Sequence, residues 1–150
     1  MKASDLLAVA LTVLVLFYQG GTTIPDSDPI PQPDAAARSA VSSVATLLSG
    51  HKSEAAELAA FYHAAADVLR RDGEGRKLLQ NTQQLRTFCE RAVTLRFQGV
   101  FTKIPGLADA IHGPQGALAL LLGLEVRELD HAQAAAALDA VAWAAQEASK

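Results

Sequence analysis

The apolar positions follow three successive rhythms along the chain. From Leu6 to Tyr18 they are nearly continuous, with Thr12 the single polar member. From Ile24 to Asp34, "IPDSDPIPQPD" holds four prolines in eleven residues and no apolar period at all. From Asp34 onward the apolar positions recur at three- and four-residue intervals, the spacing of one face of an α-helix.

Each rhythm predicts an element. The first run is 13 residues, about 20 Å as a helix and shorter than the ~30 Å hydrocarbon core of a bilayer. No charge occurs between Asp5 and Asp26, however, and this 20-residue neutral window reaches about 30 Å if helical. Residues 1–23 are therefore expected to form a signal-anchor that meets the membrane through residues 6–18. Lys2 and the terminal amine favour a cytoplasmic N-terminus with the remainder outside, periplasmic or extracellular. The alternative is a signal peptide cut after Thr22, with Gly20 at position −3, and secretion of the remainder. A buried core helix is the third reading. Proline fixes φ and lacks the amide donor, so residues 24–33 read as an extended spacer of up to ~30 Å.

Residues 34–150 read as one all-α domain, a compact bundle of five or six short helices. Asp34 caps a first helix with Ala37, Ala40, Val41, Val44 and Leu48 on one side, ended by Gly50. Leu58, Phe61, Tyr62, Ala65, Val68 and Leu69 mark the buried face of a second, stopped at Asp72-Gly73. Asn81 with Gln84 forms a capping box for a third, with Leu85, Phe88, Cys89, Ala92 and Leu95 facing inward. "QGVFTKIPG" reads as a loop, with Phe101 and Ile104 closing over the core. Leu107–His112 and Ala117–Leu122 form a fourth helix broken at Gly113-Pro114. "ALALLLGL" is apolar all round and is expected to be the central helix. Asp130 with Gln133 caps the last helix, lined by Ala134, Leu138, Val141, Ala142 and Ala145, with Trp143 off that stripe.

Composition agrees: half the residues are hydrophobic and 19% are charged, which excludes a disordered chain. Alanine, the best helix former, is abundant. A single cysteine, Cys89, excludes an intramolecular disulfide and any cysteine-based zinc set. At this position, beside Phe88, it reads as a buried inert thiol.

Charge adds a candidate surface. The segment Arg70–Lys103 carries +5 and the remainder −8. Arg70, Arg71, Arg76 and Lys77 cluster at one turn. They are candidates for contact with an acidic protein or an anionic envelope polymer. Pairing with the chain's own acids is the competing use of these cations. Export of the domain makes nucleic acid an unlikely partner.

Catalytic motifs are few. "DGEGRK" lacks the strand and the GK[ST] of a phosphate loop, and there is no HExxH, CxxC or GxSxG. His63 and Asp67 share a helix face at i, i+4. They offer a weak metal site or a base-and-orienter pair, against a plain exposed helix pair. His112 reads as a helix-end cation. No cofactor is implied. The pattern as a whole predicts a membrane-anchored or exported non-catalytic helical interaction module of a bacterial or phage envelope, serving lysis or envelope assembly. The alternative is a small exported hydrolase or metal-binding protein built on His63 and Asp67.

Overall fold

A computed structural model describes residues 30–73, 79–123 and 127–150. The apolar segment 6–18, most of the proline-rich spacer, Arg76 and Lys77 lie outside the described residues. Within them the chain is all-α, with eight helices and one isolated bridge between Asn81 and Glu128. Among the described residues no helix is long and apolar enough to cross a membrane.

The helices are α1 (Ala35–Ala40), α2 (Ser42–Leu48), α3 (Lys52–Gly73), α4 (Thr82–Arg96), α5 (Gln98–Lys103), α6 (Leu107–His112), α7 (Ala117–Leu122) and α8 (His131–Ser149). The two longest, α3 and α8, make the most extensive helix pairing in the fold. The short helices α2, α6 and α7 pack around them. Small residues explain the pairing. Ala55, Ala59, Ala65 and Ala66 of α3 and a run of alanines on α8 are buried, so the backbones can approach closely. Phe61 and Tyr62 fill the space between α3 and the rest, and Phe61 meets Tyr62 and Phe97 edge-on at 5.2 Å.

The expected helix starts are present. Asp34 accepts from the Ala37 amide at 2.8 Å, and Asn81 from the Gln84 amide at 2.9 Å. The reciprocal arm of the box at Asn81 reaches one residue further back than expected. Gln84 Oε1 accepts from the Gln80 amide at 2.7 Å. Asp130 Oδ1 accepts from the amides of Ala132 at 3.0 Å and Gln133 at 3.2 Å. Because α8 is central, losing this cap is felt by the whole domain. Asp130→Ala should lower stability by about 1 kcal/mol in urea denaturation, while Asp130→Asn stays near wild type. Equal midpoints for Asp130→Ala and wild type would contradict this role.

Four expectations are corrected. The first helix is two, because the chain turns at Val41, which is buried and caps α2. The segment "QGVFTK" is helix α5, not loop; Gly99 sits in it with no adverse backbone conformation, and the buried Phe97 anchors its start. Helix α7 is not central: Leu120 is 64% exposed, and the central helix is α8, buried on nearly all sides. Leu95 stands 56% exposed, outside the buried face of α4.

The break between α6 and α7 has a steric cause. A Cβ at Gly113 or at Gly116 would lie 2.6 Å from the Asp109 carbonyl oxygen, so only glycine fits there. This tight turn fixes His112 at the end of α6.

Candidate functional site

His63 sits on the face of α3 that meets α8, and it is buried. Its partner is Asp139, which sequence reasoning missed. Asp139 Oδ1 lies 2.7 Å from His63 Nδ1. An ionised carboxylate only accepts, so Nδ1 carries the proton in this contact. Asp139 Oδ2 accepts from Arg70 Nη2, and Arg70 Nη1 donates to Asp67 Oδ1 at 2.9 Å. Asp67 Oδ2 is 4.0 Å from His63 Nε2. Four charged or titratable groups thus close a ring across the α3–α8 seam. The signal for Asp139 was one carboxylate in the middle of an alanine-rich helix, where nothing else is polar.

The ring assigns Arg70 an internal use. Burial alone would pull its pKa down, but the two carboxylates outweigh that and raise it. Of the four clustered cations, Arg71 is exposed, and Arg76 and Lys77 lie outside the described residues. Other cations of the basic segment are also paired: Arg86 Nε donates to Glu90 at 3.2 Å, and Lys103 Nζ to Glu54 at 2.8 Å.

His63 and Asp67 do come together, but not as an exposed pair, because His63 is buried. Donor atoms sharing one tetrahedral zinc stand about 3.3 Å apart. His63 Nε2 and Asp67 Oδ2 are wider than that, and the Arg70 guanidinium binds both carboxylates. Among the described residues no group of three or more His, Cys, Asp or Glu is arranged to hold a metal ion.

A second histidine departs from expectation. His112 stands at the end of α6 but is buried rather than a helix-end cation, its Nε2 3.1 Å from the Tyr62 hydroxyl. The Phe101 ring lies parallel to it at 6.1 Å. Burial, aided by the nearby Arg86 charge, lowers its pKa to about 4, so the ring is neutral. Tyr62 is itself pushed well above its ordinary value by burial and by Cys89. The phenol therefore donates and the imidazole accepts. The Cys89 thiol is likewise raised, by burial first and Glu90 second, which suits an inert core thiol.

His112 also floors an open cleft of ≈ 390 Å³ between α4, α5 and α6. Comparison with known protein families, with characterised proteins and with solved structures gave no match for this chain.

Proposed function

We propose that the chain is a non-catalytic helical interaction module held at a membrane. In this reading residues 6–18 anchor it, the proline-rich segment spaces the head from the bilayer, and the head works outside, in lysis or assembly of a bacterial or phage envelope. The observation that carries the non-catalytic part is the ring at the α3–α8 seam. His63, the residue a hydrolytic or metal-binding reading needs, is buried, and Asp139 and Arg70 saturate its surroundings. The chemistry of this cluster is spent on holding two helices together.

The partner surface in this reading is the basic turn at the end of α3. Arg71 is exposed there, with Arg76 and Lys77 five and six positions further along the sequence. An acidic protein or an anionic envelope polymer has the charge to meet it. Arg70 contributes little, since its guanidinium is already shared by two carboxylates.

Cell fractionation of the full chain tests the anchored head. The protein should pellet with membranes, resist a carbonate wash, and be digested by protease added from outside. Full-length protein in the soluble cytosol would sink the reading. Mass determination of the mature N-terminus separates the anchor from a cleaved signal.

A further inference from the structure

The imidazole of His112 has two nitrogens, and the Tyr62 hydroxyl answers only one. Nε2 accepts from that hydroxyl at 3.1 Å, so the proton of the neutral ring sits on Nδ1. Among the described residues no atom of the chain accepts from Nδ1, although His112 is only 6% exposed. Nor is Nδ1 fully closed off by the packing. A donor at this depth loses its hydration and needs an acceptor in return. The ring lines two spaces. One is the open cleft between α4, α5 and α6. The other is a cavity of ≈ 20 Å³ between the start of α4 and α7, lined also by Thr82, Arg86, Leu118, Leu122 and Gly123. Burial, with the Arg86 charge second, holds the His112 pKa near about 4, which does not fit bulk water from the open cleft at Nδ1.

We propose that the small cavity is a binding site for one ordered water, which accepts from His112 Nδ1–H and ties the end of α6 to α4 and α7. Its ≈ 20 Å³ exceeds the about 10–15 Å³ that one water requires and is too small for an organic ligand. A water held in a protein makes two to four hydrogen bonds. Besides Nδ1–H, the residues of the lining bring the Thr82 hydroxyl and the Arg86 guanidinium, whose Nε alone is bound to Glu90. Water both donates and accepts, so it can serve all three. The site is independent of where the chain resides and of what its basic turn meets.

The test uses the full chain, isotope-labelled, in detergent micelles at pH 7. Long-range proton–nitrogen NMR spectra of the imidazole should place its proton on Nδ1. Water-selective NOE and ROE spectra should connect the water line to His112 Hδ1 and to the Thr82 and Leu118 methyls. Their signs should be opposite in the two spectra, the mark of a water that tumbles with the protein. The Thr94 and Thr102 methyls belong to residues of the open cleft and should show no such contact. His112→Phe keeps a flat ring without a donor. The Thr82 and Leu118 contacts should be lost in it while the circular dichroism stays helical. Should that variant not fold, the wild-type spectra decide alone. A proton on Nε2, no long-lived water at Thr82 and Leu118, long-lived water at Thr94 and Thr102 instead, or contacts that survive in a folded His112→Phe would each overturn the proposal.

Discussion

Replacing Asp139 with alanine should cost the domain about 3 kcal/mol, a large share of the ~5–15 kcal/mol that holds a domain of this size together. The carboxylate is 1% exposed and accepts from both His63 and Arg70. Removing it leaves the His63 Nδ1–H buried without that acceptor, and a cation beside a void. The guanidinium side has an escape, since Arg70 is 43% exposed and can turn to water. Arg70→Ala should therefore cost less than Asp139→Ala, and Asp67→Ala at the exposed edge of the ring less than ~1 kcal/mol. Asp139→Asn keeps an acceptor for the imidazole but loses the charge Arg70 needs, and should fall between. Urea unfolding of the four variants measures all of this. A midpoint for Asp139→Ala within error of wild type would show that the ring adds nothing to the pairing of α3 and α8.

That outcome bears on helix register as well as on stability. A buried ion cluster is often no better than an apolar seam of the same shape, and its recurrent use is to fix register. The seam here is built from alanines, which pack closely but give few features to stop one helix sliding along the other. Asp139 on α8 can reach His63 and Arg70 together in only one register, because those residues are seven apart on α3.

Local signals in the sequence proved the most legible. Asp34, Asn81 and Asp130 cap the helices they precede, since a cap is written in a few adjacent residues. The buried face of α3 follows its three- and four-residue spacing, with Leu58, Phe61, Tyr62, Ala65 and Leu69 all inside. Errors arose where burial is decided by distant partners. "ALALLLGL" is the most apolar stretch of the domain, yet its helix is a six-residue one at the periphery and Leu120 faces outward. The last helix looked one-sided because alanine reads as weakly apolar. Its small side chains let neighbours close in from nearly every direction. Asp139 lay in plain view, but its partners are 69 and 76 positions away, and no spacing rule connects them. His112 was misjudged for the same reason: a helix-end position suggests a cation, whereas Tyr62, 50 residues earlier, and Phe101 enclose it.

His112 gives the domain a weakness to acid. Its pKa in the folded chain is about 4, against 6.5 for an ordinary histidine, so the folded state binds the proton more weakly than the unfolded one. The corresponding stability is fully present above about pH 6.5. It declines as the pH falls from there and is gone below about pH 4, at a total loss of about 3 kcal/mol. Other groups also weaken the fold in acid, Glu54 among them, its pKa lowered chiefly by the hydrogen bond from Lys103. The contribution of His112 is therefore read as a difference. Urea midpoints at pH 7.5, 5.5 and 4 should fall more steeply for wild type than for His112→Gln, which has no proton to gain. The ring itself can be followed by NMR, where its Cε1–H should titrate near pH 4. Tyr62→Phe removes the donor that favours the neutral ring, and should move that titration back toward 6.5. An imidazole titrating near 6.5 in the folded wild-type chain would mean that water and protons reach His112 through the cleft above it, and the acid sensitivity would then lie elsewhere.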